Sequence, residues 1–429
     1  MSTRHYNQNY RISQVTEKTL IIGVDIAKKE HYARAFDYRG IEFGKVFKFK
    51  ATSSGFEHFV GRISELKRDH KKDKVIIGIE PTGHYWFTFT QAVTRKGMLL
   101  VQVNPYHVKC SKELDDNTQN KNDRKDPKTI AFLVKDGRYC IPYMPKGKYA
   151  ELRKANNLRE EQLKKLVAVK NKVTRWIDIY FPEFMQVFSS WDGKTALLTL
   201  EKLGLPGEIS KMSSEEILSI WREEIKRGVG IRKAEELQRA SKASVGVTEG
   251  TYMAVFEINM LIREYKHIEE AMKELEDIAE RIVMEIPGAI NLLEIKGIGL
   301  RMVTGFFAEV GDISRFHSAK QIIKLAGFNL RQNSSGEHKG ETSITKRGRR
   351  LLRATIFRSI LPLVAQNEVF KNLHQENMNE KSLKPKQSLI ALCCRFIRIA
   401  YRLVTMDEKF DEKKLLNDIY RMKVSGDAA

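Results

Sequence analysis

Two short runs of branched apolar residues, each ending in an acid, limit the folds open to this chain. Residues 20–25 read Leu-Ile-Ile-Gly-Val-Asp, and residues 75–80 read Val-Ile-Ile-Gly-Ile-Glu. Continuous apolar runs of this length, rich in Ile and Val, predict buried β-strands. Strand-end carboxylates converge at one rim of a mixed sheet, so we expect Asp25 and Glu80 to meet there.

The rest of the N-terminal region supports a mixed α/β sheet over residues 1–145. Phe43, Phe47 and Phe49 alternate with other residues up to Lys50, which predicts a strand that pairs with the first in a hairpin. Residues 99–103 predict a further strand. Ser53 and Ser54 are expected to cap a helix, and residues 126–134 predict another helix. Antiparallel strands followed by alternating strands and helices indicate a mixed sheet.

Long charged helices follow, over residues 146–287. One apolar stripe spans residues 152–180 and ends at Pro182. A second is spaced 4-3-4-3, which predicts a coiled-coil seam for dimerisation or, alternatively, an intramolecular hairpin with the first helix. Its members are Ala254, Ile258, Leu261, Tyr265, Ile268, Met272, Leu275, Ala279 and Ile282. A helical insert is expected at about 185–250, with a capping box at Ser213 and Glu216.

Charge indicates the kind of partner. The chain of 429 residues has 75 Lys and Arg against 54 Asp and Glu, a net charge of +21. Such an excess indicates a polyanion, and nucleic acid is favoured over a membrane surface. The four cysteines form neither a disulfide framework nor a zinc pattern, so reduced cytosolic thiols are expected. No apolar run is long enough to span a membrane.

Four acids are the candidate metal ligands: Asp25, Glu80, Asp123 and Asp126. The last two are three residues apart and share a face if a helix begins there. Hard cations such as Mg²⁺ prefer carboxylate oxygens, and metal ions held this way can stabilise the oxygens of a phosphoryl transfer. The sequence therefore predicts a Mg²⁺-dependent site, whereas no P-loop is present.

Residues 288–429 predict a helical domain with nucleic-acid contacts. The Gly297-Ile298-Gly299 turn before an apolar helix indicates a helix–hairpin–helix, which offers backbone N–H groups to phosphate. Guanidinium groups, which fork onto phosphate oxygens, are dense in the block that follows. The predicted nucleic-acid contacts are Lys296, Gly297, Gly299, Arg331, Lys339, Lys346, Arg347, Arg349, Arg350 and Arg353.

Several segments resemble those of the DEDD-type insertion-sequence transposases, a family that includes pilin-gene invertases. Residues 22–28 (Ile-Gly-Val-Asp-Ile-Ala-Lys) and 78–86 (Gly-Ile-Glu-Pro-Thr-Gly-His-Tyr-Trp) are similar to the first two acidic motifs. Residues 122–131 resemble the third. The Gly297 turn, the Ser335-Gly336 loop and the basic segment 346–353 are similar to the family's C-terminal half.

The resemblance implies a ribonuclease-H-like, RuvC-like N-terminal domain and a serine nucleophile, which matches Ser335. It further implies a structured noncoding guide (bridge) RNA that pairs with donor and target double-stranded DNA. Homodimers would assemble into homotetramers, with the acidic site of one protomer completing the serine site of another. A bacterial or archaeal, nucleoid-associated cytoplasmic enzyme is expected. Physically, a phosphoserine ester stores the energy of the cut bond, so strands rejoin without ATP.

Two other functions remain open. One is a Mg²⁺-dependent junction-resolving nuclease that activates water with the four carboxylates and forms no covalent protein–DNA bond. The other is a non-catalytic nucleic-acid-binding architectural protein. Intact acids at Asp25, Glu80, Asp123 and Asp126 argue against the second.

Overall fold

The structure is a computed structural model that describes residues 8–115, 126–331, 334–335, 338–339 and 343–413, with only the backbone described at 112–115, 334–335 and 338–339. The chain forms two compact units. The first comprises Met1–Met144 with Arg315–His317, and the second comprises Pro145–Ser314 and Ser318–Ala429. Residues of both predicted domains, 146–287 and 288–429, lie in the second unit, except residues 315–317, which belong to the first.

A six-stranded mixed sheet forms the centre of the first unit. Its strands are β1 (Thr19–Asp25), β2 (Glu30–Phe36), β3 (Phe47–Lys50), β4 (Lys74–Ile79), β5 (Leu99–Val103) and β6 (Tyr139–Cys140). They lie in the order β3-β2-β1-β4-β5-β6. The β1–β4 and β4–β5 pairs are parallel, and the others are antiparallel. The predicted mixed sheet and its three buried strands β1, β4 and β5 are confirmed, and the order is consistent with a ribonuclease-H-like domain.

The predicted partner of β1 was wrong. β2 pairs with β1, with Val24 opposite Ala33, and β3 pairs with β2. Sequence periodicity missed β2 because its buried residues on the face covered by α2 and α3 are His31, Ala33 and Ala35, two of them small and one polar. Phe43 lies outside the strand, although its backbone N–H donates to Ala35 O at 2.8 Å.

Helices cover both faces of this sheet. They are α1 (Gln8–Ser13), α2 (Ser53–Asp69), α3 (Trp86–Arg95), α4 (Pro105–Asp115) and α5 (Asp126–Lys135). On one face, Phe59 of α2 and Phe89 of α3 belong to a core with the apolar side chains of the strands. On the other, Ile130 and Val134 of α5 form a second core. Thr52, rather than Ser53 or Ser54, caps α2: its hydroxyl accepts the Gly55 N–H at 3.2 Å.

In the second unit, α6 (Lys148–Tyr180) packs along α12 (Thr251–Met284). Trp176 of α6 donates its indole N–H to Ala254 O at 2.9 Å. Ala254, Ile258, Leu261, Tyr265 and Ile268 of the predicted seam are buried in the core that includes α6. The seam is therefore used within the chain, as in the intramolecular alternative.

Between these two helices lies a helical insert, as predicted. It contains α7 (Phe184–Val187), α8 (Lys194–Lys202), α9 (Pro206–Ile209), α10 (Ser214–Glu224) and α11 (Ile231–Lys242). The capping box at Ser213 and Glu216 is confirmed at the start of α10. Trp221 is fully buried and donates to the Thr199 hydroxyl at 2.9 Å, which ties α10 to α8.

The C-terminal part of this unit is mainly helical. Its helices are α13 (Ala289–Leu293), α14 (Leu300–Val310), α15 (Ala319–Ala326), α16 (Arg350–Gln366), α17 (Glu368–Asn379) and α18 (Pro385–Met406). Two short antiparallel pairs connect α15 to α16: β7 (Leu330–Arg331) with β10 (Ser343–Ile344), and β8 (Ser334–Ser335) with β9 (His338–Lys339). Within the described part of the chain, no helix has the length and apolar character needed to cross a membrane.

Candidate active site

Two of the predicted acids leave the sheet side by side. Val24 of β1 pairs in parallel with Ile79 of β4, and each is followed directly by an acid, Asp25 and Glu80. Both residues are half-buried. Since neighbouring parallel strands are about 4.8 Å apart, the two carboxylates start from adjacent positions at one edge of the sheet.

Asp126 is brought to the same region by the packing of α5. It is the first residue of α5, and α5 crosses β1 at Gly23, two residues before Asp25. A Cβ at Gly23 would lie 1.8 Å from Pro127 O, so only glycine allows this approach. The absence of a side chain at Gly23 thus places the first turn of α5 beside the end of β1.

Gly78 extends the same surface onto β4. A Cβ there would lie 2.5 Å from Val134 Cγ2 and 3.1 Å from Ile130 Cγ2. Gly23 and Gly78 are paired with each other across β1 and β4. Sequence reasoning did not assign them a role, although glycine within a buried strand is a known signal of close backbone approach.

His31 supports the turn after Asp25. Its side chain is 1% exposed, and its Nδ1 accepts the Ala27 backbone N–H at 3.2 Å. The ring lies 5.0 Å from that of Phe49 and 5.6 Å from that of Phe89. Burial lowers the pKa of His31 to about 4, so the ring is neutral at pH 7. Sequence reasoning missed this residue because a lone histidine carries no spacing signal.

The donor set suits a hard cation. Carboxylate oxygens are the ligands that Mg²⁺ prefers, and the Gly23 contact brings Asp126 to the edge at which Asp25 and Glu80 lie. Within the described ranges, no three His, Cys, Asp or Glu side chains are grouped closely enough to hold a metal ion. Asp123, the fourth predicted ligand, lies outside the described residues. The donor chemistry of Asp25, Glu80 and Asp126 suits Mg²⁺, but the described side chains alone do not form a metal site, and Mg²⁺ binding stays a prediction.

Ser335 lies in β8 of the second unit. Its backbone pairs with His338 of β9, and Ser334 pairs with Lys339. Both serines therefore belong to one short hairpin between α15 and α16, and Lys339 faces Ser334 across it. Gly336 lies outside the described residues.

Two predicted nucleic-acid contacts, Arg349 and Arg353, have partners within the protein. Arg353 donates from Nη1 to Ala326 O at 2.9 Å and to Lys346 O at 3.2 Å. A Cβ at Gly327 would lie 2.9 Å from that same Nη1. These bonds connect Arg353 of α16 to the end of α15 and to the residues just before α16. Arg353 therefore stabilises this segment through contacts within the protein.

Arg349 is held by a buried acid that sequence reasoning missed. Its Nε donates to Glu309 Oε2 at 2.6 Å, and Glu309 is 2% exposed. Arg153 of α6 donates to the backbone oxygens of Ala308 and Glu309. The end of α14 is therefore linked both to α6 and to the start of α16. The sequence signal for this contact was the acid Glu309 inside the apolar run 302–310, because a buried charge requires a partner.

Apart from Lys339, whose side chain lies outside the described part of the structure, the remaining predicted contacts are exposed or lie at turns. Lys296, Arg331, Lys346, Arg347 and Arg350 are exposed. Gly297 has a φ of +95° and approaches α16, because a Cβ there would lie 2.8 Å from Leu363 Cα. Gly299 is exposed and precedes the first residue of α14. Nucleic-acid binding by these residues stays a prediction.

Comparisons with known proteins give matches to both the N-terminal and the C-terminal part of the chain. A model of DEDD transposases of the IS110 group matches residues 22–182, and a model described as the IS116/IS110/IS902 transposase family matches residues 289–375. The first match contains Asp25, Glu80, Asp123 and Asp126, and the second contains Ser335 and the basic segment.

Individual relatives support the same assignment. The transposase for insertion sequence element IS1111A of Coxiella burnetii is 24% identical over 397 residues, covering 91% of each chain. Pilin gene-inverting proteins of Moraxella bovis and Moraxella lacunata are each 29% identical over 125 residues, which is 28% of this chain and 38% of theirs. Fold, acids and relatives together define an enzyme of the DNA recombinase and transposase class. Within that class, the chain belongs to the IS110 family of insertion-sequence transposases.

Proposed function

We propose that this transposase cuts and rejoins DNA through a phosphoserine intermediate formed on Ser335. The serine oxygen attacks the phosphorus, the bond to the leaving 3′-oxygen breaks, and the serine proton is passed on as the leaving oxygen is protonated. The reverse reaction with a new 3′-hydroxyl rejoins the strands. Because each step exchanges one phosphoester for another, no nucleotide is consumed.

The acidic residues have a separate task in this proposal. Asp25, Glu80, Asp123 and Asp126 would hold Mg²⁺, which supplies charge stabilisation for the leaving oxygen and the phosphorane. This proposal is supported mainly by the positions of Asp25 and Glu80, which directly follow the paired strands β1 and β4. The close contact at Gly23 brings Asp126 towards the same edge of the sheet. A cation bound beside these carboxylates would favour their charged forms.

The test is detection of the covalent adduct. With DNA substrate, the wild-type enzyme should form a protein–DNA adduct that survives denaturation, and Ser335→Ala should form none. Ser334→Ala is the matched control, because it removes the neighbouring hydroxyl from the same hairpin and should retain activity. An adduct in Ser335→Ala would move the nucleophile elsewhere. DNA cleavage without any adduct in the wild type would favour the junction-resolving nuclease.

The acids are tested by charge removal. Asp25→Asn should abolish strand transfer and leave nucleic-acid binding within about twofold of the wild type, because the lost group binds cation rather than backbone. Glu30→Gln is a control of equal charge change, on the exposed salt bridge to Lys48. Full activity of Asp25→Asn would contradict the metal role.

For recognition, we propose that a structured guide RNA pairs with donor and target DNA, while the protein binds the phosphate backbones of the nucleic acids. Two features suit contacts with phosphate. One is the set of exposed side chains of Lys346, Arg347 and Arg350, and the other is the exposed Gly299 before α14, in the segment interpreted as a helix–hairpin–helix. Purification of the protein from cells that carry the complete element, followed by RNA sequencing, should recover one enriched noncoding RNA. Recovery of only random cellular RNA would count against guidance.

For assembly, we propose a dimer through the outer face of α12, since its inner seam packs against α6. Tyr252, Phe256 and Met260 recur every four residues on that outer face and are 84%, 52% and 48% exposed. A self-complementary apolar stripe is typical of an interface between copies. Phe256→Glu should yield monomers by light scattering, whereas Glu257→Gln on the same helix should not. A dimer that persists in Phe256→Glu would refute this contact.

Composite sites are tested separately, by mixing protomers. Ser335→Ala chains combined with Asp25→Asn chains should regain part of the activity if an active site draws on two chains. A mixture that stays inactive, with heteromers verified by differently tagged chains, would contradict shared sites.

A further inference from the structure

The edge of the sheet opposite the acidic site carries an unassigned basic cavity. It has a volume of about 400 Å³ and lies where β4 and β5 begin, at Lys74 and Leu99. Asp25 and Glu80 lie where β1 and β4 end. Because a strand rises about 3.3 Å per residue, the six residues of β4 separate the two edges by about 20 Å. The cavity is therefore distinct from the candidate active site.

Three lysines line this cavity: Lys67, Lys74 and Lys96. Among the described residues, none of the three side chains forms a salt bridge or hydrogen bond. Asp73 is the one acid among the described lining residues, and it is paired with Lys18 at 3.2 Å. Three ammonium groups thus surround one cavity whose acid is already neutralised.

Helix ends explain only part of this charge. Lys67 lies in the last turn of α2, where a cation stabilises the negative end of the helix. Lys74 begins β4, and Lys96 follows α3 just before the turn at Gly97. Exposed Lys71 and Arg95 add positive charge nearby. An anion that bridges the lysines would relieve their mutual repulsion.

The chemistry of the lining favours phosphates of a double helix. Lysine binds phosphate as a point charge and reads no base. None of the described residues that line the cavity is aromatic, so they offer no platform for stacking unpaired bases, which single strands and RNA loops commonly use. We propose that this cavity, lined by Lys67, Lys74 and Lys96, binds the backbone of the DNA duplex that flanks the cleavage site.

The distance between the acidic edge of the sheet and the cavity can be expressed as a length of DNA duplex. At 3.4 Å per base pair, about 20 Å corresponds to roughly six base pairs from a phosphate held at the acidic edge. The inference relies on the proposed function only in placing the scissile phosphate at Asp25 and Glu80. Duplex binding can be measured without Mg²⁺ and without cleavage, so failure of the serine chemistry leaves this measurement unchanged.

The test replaces Lys67, Lys74 and Lys96 together by Gln in the full chain. Affinity for a duplex of unrelated sequence should fall by about 100-fold at 0.15 M salt, and the slope of log affinity against log salt should lose about 2 to 3. Replacement of the same three residues by Arg should keep the affinity. The matched control replaces Lys194, Lys226 and Lys242, which are exposed residues of the helical insert, by Gln.

Three outcomes would overturn the proposal. One is an unchanged salt slope in a variant whose circular dichroism and melting match the wild type. Another is an equal loss in the control, which would mean that only total charge matters. The third is a loss confined to RNA with duplex binding intact, which would assign the cavity to RNA instead of DNA. A triple variant that fails to fold is replaced by the single changes Lys74→Gln and Lys96→Gln, each of which should lower the slope by about 1.

Discussion

Stability of the sheet unit should depend on pH through His31. The imidazole is 1% exposed, accepts the Ala27 N–H at Nδ1, and is surrounded by the rings of Phe49, Phe56 and Phe89. Burial lowers the pKa of His31 from 6.5 to about 4. A proton on Nδ1 would place a charge among these rings and would also remove the acceptor for Ala27.

The sign and size follow from proton linkage. Between pH 6.5 and pH 4 the unfolded chain binds a proton at His31 and the folded chain does not, so stability falls as the pH falls. The full difference of about 2.5 pH units is worth about 3 kcal/mol. Between pH 7 and pH 5 the loss should be about 2 kcal/mol.

The assay is urea-dependent hydrogen exchange read by mass spectrometry on peptides of β1 and β2, which assigns the unfolding to this unit. His31→Phe keeps the aromatic packing and removes the titrating group. Between pH 7 and pH 5, the unfolding free energy of the wild type should fall by about 2 kcal/mol more than that of His31→Phe. Equal pH dependence in the two proteins would refute the reasoning, because every other titrating group is common to both.

Three further substitutions have expected costs. Gly23→Ala should destabilise the sheet unit by about 3 kcal/mol or more and abolish strand transfer, because its methyl would meet Pro127 O; thermal melting and a strand-transfer assay measure both. Glu309→Gln should lower the stability of the second unit by about 2 kcal/mol in urea titrations, because the charged partner of Arg349 is lost. Thr52→Ala should cost about 1 kcal/mol through loss of the α2 cap, measured the same way, with no change in activity.

Elements with one dominant pattern could be predicted from sequence. β1 and β4 contain continuous apolar runs, β5 is apolar except at Gln102, and the insert has a capping box in the expected place. β2 could not be predicted, since Ala33 and Ala35 point inward and small residues give a weak alternation. The pairing of β1 was misassigned for this reason.

The long helices show a different limit. The 4-3 spacing of α12 predicted most of its buried residues, among them Ala254, Ile258 and Leu261. Three later members of the seam are only half-buried: Met272, Leu275 and Ile282. Spacing carries no information on whether the partner helix belongs to the same chain. The hydrogen bond from Trp176 to Ala254 O and the core shared with α6 decide it within the protomer.

For the site, the sequence predicted that Asp25 and Glu80 follow neighbouring strands, but it did not show what brings Asp126 towards them. The positions of Asp25 and Glu80 follow from strand ends, whereas the approach of Asp126 depends on α5 lying against bare backbone at Gly23 and Gly78. Neither glycine contributes a ligand. Each contributes the absence of a side chain, which a motif of acids does not reveal.

The same logic explains why His31 occupies an otherwise aromatic core. A phenylalanine would pack as well against Phe49 and Phe89, but it would leave the Ala27 N–H without its acceptor. That N–H lies two residues after Asp25, in the turn whose path sets where the carboxylate lies. A buried polar group that satisfies one backbone donor therefore fixes the turn after β1, while Gly23 fixes the helix across it. The acidic edge is thus held from both faces of the sheet, by residues that are not themselves acids.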